Sequence, residues 1–544
     1  MVKNLLFLLS ARQSSILSGA LVIMATVMAS KFLGLVRDRL LAHTFSPDQT
    51  AVFLAAFRIP DLIFQLLIFG AVSVAFIPIF TDYLHKKGEE ESFRFAADVF
   101  NLVLGGFILI SILVFIVADP LTNLVVPGFS AEQKQLTAVL TRVILGGQVL
   151  LVVGSFFAGV CQSYQRFVIP ALAAVFYNVG IILGIIFLTP YIGLFGPAFG
   201  VIIGAALHAL IQVPLVASLG FKHRFSLNLN SEGIKEISGL ISIRTVGVAV
   251  EQINETVGII LASLISVSSV TYLTFAQHLQ TVPIGLFGAT LAQAALPVLS
   301  QEQAKGENEA FKTTLLTTMH QVMFLSLPSA AILIVLRIPA VRLVFGASQF
   351  DWPATVLTGQ TVAYLAVGLA AQAVALLLVR GFYALKDTRT PVVVSILTVA
   401  LNIILSVFFI QILRLDVWGL GLSYAIVSNL SVILLLYFLH KKLGGFDIAS
   451  LFIPAGKMIL AAVAAAITLY LLMKGLDIAF DTRKTVNLIL LTGIASIFGL
   501  SVYILLVWLL RVKELETFGN LIKRVYNAQF NVKSQEILEE TGPI

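Results

Sequence analysis

One strongly apolar stretch, Lys31 to Tyr83, carries Lys31, Arg37, Asp38, Arg39, Arg58 and Asp61. Charge at the centre of a bilayer costs at least about 2.5–3.5 kcal/mol per group, so such residues are kept where they face a bundle interior or a wet cavity. Helical spacing puts Lys31, Gly34 and Asp38 on one face, with Arg37 about one residue off it. Arg58 and Asp61, three apart, share another face. Pro60 lies between them and would kink the helix or shift its hydrogen bonding. A planar guanidinium binds phosphate oxygens in pairs. The chemistry that suits these residues is capture of an anionic group in a central cavity by Lys31, Arg37 and Arg58, with Asp38 and Asp61 as orienting counter-charges. The competing arrangement leaves Arg37, Asp38 and Arg39 at the external interface, where long side chains reach water.

A second set lies further along the chain. Glu251 and Glu255 are four apart on one helical face, near Gln252 and Asn254, and Gln277, His278 and Gln280 follow. Paired acids in a membrane helix suit cation or proton coupling; the alternative is a buried pair bonded to Arg244 or to polar side chains. His278 can change charge near neutrality and counts as a cavity candidate. Arg380, Lys386, Asp387 and Arg389 read as an interfacial charge belt, with a phosphate-gathering portal as the alternative. The chain carries no P-loop, no dinucleotide fingerprint, no metal-ligand spacing and no nucleophile–base pair. No catalytic residue, metal, cofactor or enzymatic activity is therefore expected. Sodium, protons or the membrane potential are the energy sources the acids leave open. Moving one charge is worth about 2.3 kcal/mol per 100 mV.

What must position these residues is a helical membrane scaffold. The chain has 544 residues, 58% hydrophobic and 12% charged, against roughly 25% charged in soluble domains. Its apolar runs are continuous and long, which favours helices over a barrel. The fold class is an all-α polytopic membrane protein with about 14 spans: 15–36, 51–82, 93–118, 134–163, 168–189, 194–218, 238–265, 269–300, 311–336, 355–384, 391–412, 417–440, 452–474 and 486–510. Lys and Arg crowd one set of loops (Lys86, Lys87, Arg166, Lys222, Arg224, Lys441, Lys442), which places both termini in the cytoplasm. The same rule accounts for the net charge of +7 without a nucleic-acid partner. The N-terminus lacks a signal-peptide pattern. The single cysteine, Cys161, reads as a small core residue.

The chain also repeats itself at an offset of about 220 residues. Phe69-Gly70-Ala71 recurs as Phe287-Gly288-Ala289, and Lys87-Gly88-Glu89 as Lys305-Gly306-Glu307. Six spans separate the copies, so the two halves are parallel repeats. The expected layout is a six-helix lobe over 1–220, a second over 221–445, two further helices over 446–512 and a cytoplasmic tail over 513–544. Two such lobes with a site between them suit alternating access.

The runs ASKFLGLVRDRLLAHTFS, FRIPDLI and FGAVSVAFIPIFTDY, with the later GFYALKDTRTPV, resemble the MurJ (MviN) family of the multidrug/oligosaccharidyl-lipid/polysaccharide exporter superfamily. The resemblance spans essentially the whole chain. It implies a flippase for lipid II, the undecaprenyl-pyrophosphate-linked peptidoglycan precursor, in the bacterial cytoplasmic membrane, acting as a monomer. It further implies that Lys31, Arg37, Asp38 and Arg58 form the cationic site for the pyrophosphate. Lys31 stands where the family usually has Arg, Phe64 and Gln65 where it has basic residues, and Gln277-His278 where it has an Asp-Arg pair. Gly258 stands where members have an acid that can serve sodium, with Glu255 one turn earlier. Export of another lipid-linked oligosaccharide or of an amphipathic drug, and a scaffold of envelope synthesis, are the alternatives.

Overall fold

The computed structural model describes residues 16–68, 76–228 and 232–519, without the side chains of 16–25, 232 and 237–245. Phe69, Gly70 and Ala71, the Arg244 side chain and the tail beyond 519 lie outside the described residues. Among those residues the ordered structure is helical, apart from one isolated bridge between Ala347 and Phe350. Helices follow from the solvent: lipid offers no partner to a backbone amide, so each segment must satisfy its own. Among the described residues, twelve helices are long and apolar enough to cross a membrane, or thirteen if one broken pair counts as a single span.

The first half begins with α1 (Ile16–Thr44), α2 (Pro47–Ala56), α3 (Arg58–Phe64) and α4 (Ile77–Lys86). It continues with α5 (Gly88–Ile116), α6 (Ala118–Val125), α7 (Ala131–Ser163) and α8 (Val168–Leu183). It closes with α9 (Thr189–Ile192), α10 (Phe195–Leu210) and α11 (Val213–Ser218). The second half opens with α12 (Glu232–Ile265), α13 (Val267–Pro283), α14 (Thr290–Lys305) and α15 (Asn308–Val335). Then come α16 (Arg337–Phe345), α17 (Trp352–Val367), α18 (Leu369–Ala384), α19 (Arg389–Val407) and α20 (Trp418–Lys442). Two helices follow, α21 (Ile448–Ala479) and α22 (Thr485–Leu509).

The backbone repeats more faithfully than the sequence does. Ser46 caps α2 by accepting from the Gln49 amide, and Ser266 accepts from the Ser269 amide at the start of α13. Ser130 caps α7 and Asp351 caps α17 in the same way. Left-handed residues recur at Gly88 and Gly306, and at Gln165 and Lys386. π-helical turns recur at Gln65–Ile68 and Ile284–Ala289, and at Gly184–Leu188 and Phe408–Ile412. Such turns disrupt the regular helix ladder, and they often mark functional places.

By packing, the chain forms two compact units. One comprises Met1–Val282, Ala340–Gly368 and Lys386–Leu434; the other comprises Pro283–Pro339, Leu369–Leu385 and Leu435–Ile544. The first unit holds an aromatic core in which Phe76 meets Phe80 at 5.1 Å and Phe156 at 4.9 Å. Its α8 and α10 approach at backbone distance. A Cβ on Gly180 would lie 2.2 Å from the Gly204 Cα, and one on Gly184 would lie 2.5 Å from the Gly200 Cα. Small residues four apart allow such contact where hydrophobic drive between helices is absent. In the second unit the Tyr503 hydroxyl donates to the Phe324 carbonyl at 3.0 Å. His320 lies 3.6 Å from Glu514 there, and both are buried.

Two expected boundaries shift. The first span does not end at residue 36: α1 runs on to Thr44, so Arg37, Asp38 and Arg39 lie within the helix. Arg37 and Asp38 neutralise each other, which lets the helix continue past them. The second span starts at Pro47 and breaks at Phe57, between α2 and α3.

Candidate functional site

The first unit gathers most of the predicted charges into two clusters. On α1, Asp38 is almost wholly buried, its side chain 1% exposed. Its Oδ1 accepts from Arg37 Nε at 3.0 Å and Nη2 at 2.8 Å. Its Oδ2 lies 2.7 Å from His278 Nδ1, on α13. Arg37 also donates to the Asn178 side chain at 3.3 Å, on α8, and Asn178 in turn donates to Ser30 Oγ at 3.3 Å. Both oxygens of the buried carboxylate are thus occupied, as burial of a charge demands.

The second cluster forms on Arg58, which is buried at the first turn of α3. Three residues on one face of α12 receive its fork. Nη1 donates to Glu255 at 2.7 Å, and Nε to Thr256 Oγ1 at 2.9 Å. Nη2 donates to the Gln252 carbonyl at 2.7 Å and to its side-chain oxygen at 2.6 Å. Residues 252, 255 and 256 fall on one side of a helix by the i, i+3, i+4 rule. Arg58 is 5% exposed at its side chain, yet Glu255 is 46% exposed. The carboxylate therefore keeps an open side while the cation does not.

The other candidates are placed more loosely. Lys31 is exposed and makes no ion pair among the described residues. Asp61 accepts from Gln65 at 3.5 Å. Glu251 shares a hydrogen bond with the Tyr424 phenol, on α20. Arg39 points away, to the carbonyls of Leu343 at 2.8 Å and Val344 at 3.3 Å. In the run GFYALKDTRTPV, Asp387 accepts from the amides of Arg389 and Thr390, so it shapes the chain entering α19.

Sequence reading missed Asn178, Thr256 and Tyr424. A neutral polar side chain costs too little in a membrane helix to stand out, and its hydrogen bonds there average only about 0.6 kcal/mol. The i, i+4 relation of Gln252 to Thr256 was a readable signal. Asn254 and Asn402 form a further buried neutral pair at 2.7 Å. Among the described residues no three His, Cys, Asp or Glu side chains form a metal-holding group.

Known proteins align with this arrangement. The structure is similar to one described as "Lipid II flippase MurJ, inward closed conformation", with a TM-score of 0.74 and 24% identity, covering 89% of this chain and 98% of that one. It is also similar to an inward-facing multidrug resistance MATE family transporter of the MOP superfamily, with a TM-score of 0.65 and 15% identity, covering 78% of this chain and 98% of that one. A probable lipid II flippase MurJ from Buchnera aphidicola is 25% identical over 466 residues, 84% of this chain and 89% of that protein. The lipid II flippase MurJ of Burkholderia cenocepacia is 26% identical over 425 residues, 76% of this chain and 82% of that protein. The sequence profile of the family described as "Lipid II flippase MurJ" matches residues 41–490. With the profile covering most of its length, the chain belongs to the MurJ family of membrane flippases.

Proposed function

We propose that this chain carries lipid II from the cytoplasmic to the outer leaflet by alternating access, as a monomer with both termini in the cytoplasm. The observation that carries the reading is the placement of Lys31 and Arg37 in a family-matched scaffold. Both are cations of a membrane helix, and Lys31 is exposed and unpaired among the described residues. An anionic diphosphate meets Lys31 first. Arg37 and Arg58 join only if the phosphate oxygens replace Asp38 and Glu255 as acceptors. Relocation of a lipid breaks no bond, so the residues need to bind, orient and release, with no covalent step.

The charge balance bears on energy coupling. Lys31, Arg37 and Arg58 are three cations, set against four carboxylates: Asp38, Asp61, Glu251 and Glu255. A further anion at this cluster calls for counter-charge. Sodium or protons taken up at Glu251 and Glu255, or the membrane potential, supply it.

The test is complementation of a bacterium depleted of its own lipid II flippase. Rescue that is lost with Arg37→Ala or Arg58→Ala supports the reading. Failure to rescue, with retained export of another lipid-linked sugar, overturns it. The same surplus of carboxylates favours a second reading, export of a different lipid-linked oligosaccharide or an amphipathic cationic drug. That reading expects drug resistance to rise on expression.

A further inference from the structure

The repeat and the two charged clusters combine into a relation that neither gives alone. The offset that aligns the helix caps Ser46 and Ser266 places Arg58 on His278. These two equivalent residues reach in opposite directions across the repeat. Arg58, on α3 of the first half, grips Glu255 on α12 of the second at 2.7 Å. His278, on α13 of the second half, grips Asp38 on α1 of the first at 2.7 Å. The tips of α2 and α13 meet as well: Thr271 donates to the Pro47 carbonyl at 2.6 Å, and Ser268 bonds to Asp48. At about 1.5 Å per residue, Asp38, Glu255 and Arg58 lie roughly 10–18 Å along their helices from the turns at Phe45–Ser46 and Ser266. With the termini cytoplasmic, those turns face outward.

We propose that Glu255 and His278 are positioning residues of the transport cycle, which with Arg58 and Asp38 form a two-clasp latch closing the outer half of the first unit. Both clasps must part before these four helices can separate at their outer ends. The clasps differ in kind. Arg58 holds Gln252 and Thr256 besides Glu255. His278 bonds to Asp38 through one ring nitrogen, and it is one-third exposed at its side chain. The latch therefore has one many-bonded, enclosed clasp and one single-bonded clasp with an open side.

The charged neighbours are accounted for. Arg37 stays on Asp38 whatever His278 does. Arg39 is turned to backbone carbonyls, and Asp48 is engaged by Ser268. Glu255 is held by Arg58, and Glu251 by Tyr424. On α3, Asp61 bonds to Gln65. Lys31 lies about two turns before Asp38 on α1. The diphosphate of the proposed substrate has the chemistry to compete with Asp38 and Glu255 for both donors. The purpose of the latch thus rests on the transport reading, while its existence does not.

The experiment needs no lipid II. A cysteine is placed at Gln65, two turns beyond Arg58, in a Cys161→Ala background. Its modification by a membrane-impermeant maleimide is followed in right-side-out vesicles, normalised to an exposed reference cysteine. His278→Ala and Glu255→Gln are each expected to speed modification several-fold, roughly fivefold, as expected for one lost charge-assisted contact, and the double substitution more than either. An unchanged rate in His278→Ala overturns the clasp on Asp38. An unchanged rate in Glu255→Gln overturns the clasp on Arg58. Failed complementation with these accelerations intact would sink the lipid II reading and leave the latch standing.

Discussion

The first helices of the two halves share a backbone and differ in charge. Aligned through their caps, Lys31 falls on Glu251, Arg37 on Val257, Asp38 on Gly258 and Arg58 on His278. The first half brings three cations and two carboxylates to the site, and the second half brings two carboxylates and a histidine. Each half on its own would carry an unbalanced charge into the membrane. Together they satisfy one another through Arg58–Glu255 and His278–Asp38. The difference teaches that the repeat sets where side chains can meet, and the divergence between its copies sets what they do when they meet.

The largest effect is expected from breaking that balance at its buried, four-bonded guanidinium. Arg58→Ala removes all four hydrogen bonds to α12. Truncating a buried, hydrogen-bonded charge costs about 2–5 kcal/mol, so flipping of a fluorescent lipid II analogue in vesicles should fall by on the order of 100-fold. Arg58→Glu should be as damaging. Adding Glu255→Arg should restore only part of the rate, because one position is closed and the other half open. Full restoration would show the two halves to be interchangeable here and the asymmetry to be incidental.

Lys31 tests the other side of the comparison. It is exposed and in no ion pair among the described residues, so Lys31→Ala should leave thermal stability in detergent within about 0.5 kcal/mol. Binding of an undecaprenyl-pyrophosphate probe should weaken about tenfold, as expected for one lost charge-assisted contact. Lys31→Glu, which gives the first half the residue its partner has, should weaken binding further. Binding that survives both substitutions would move the anion site away from α1.

Much of this fold could be read from the chain. The apolar runs, the loop charges and the offset of about 220 residues are local or periodic signals, and the resulting plan of spans resembles the observed one. The charged residues were legible because each is costly in lipid. Their pairings were not. Asp38 and His278 are 240 residues apart, and Arg58 and Glu255 are 197 apart. Nothing within one helix specifies which acid meets which base. Sequence put Glu251 and Glu255 on one face as a pair for a cation. The structure gives Glu255 to Arg58 and Glu251 to Tyr424. The π-helical turns were equally hidden, because an extra residue in a helical turn leaves no compositional mark at Gln65–Ile68 or at Phe408–Ile412.

A smaller effect probes the close packing of α8 on α10. Gly204→Ala would set a Cβ 2.3 Å from the Tyr177 carbonyl oxygen. Forcing α8 and α10 apart should cost about 1–3 kcal/mol, seen as a lower melting temperature in detergent. On α20, a Cβ at Gly421 has 3.1 Å to its nearest atom, the Thr361 carbonyl oxygen. Gly421→Ala should cost less. Equal losses would mean that these two helix contacts are packed to the same tightness, against what the distances indicate.

The smallest expected effect concerns what the halves hold in common. Ser46 takes part in a full capping box, accepting from the Gln49 amide at 3.3 Å and donating its own amide to Gln49 Oε1 at 3.2 Å. Ser266 accepts from the Ser269 amide at 3.2 Å and shares a hydrogen bond with the Ser269 hydroxyl at 2.7 Å. Loss of a capping hydroxyl costs about 1 kcal/mol. Ser46→Ala and Ser266→Ala should therefore lower the fraction of protein that stays monodisperse after heating, by similar amounts. The reciprocal bond separates them. Gln49→Ala should add a loss of its own by freeing the Ser46 amide, and Ser269→Ala should not free any backbone donor. A loss at one turn only would show that the other is held by its neighbours, and that the two turns do not start the same structure in the same way.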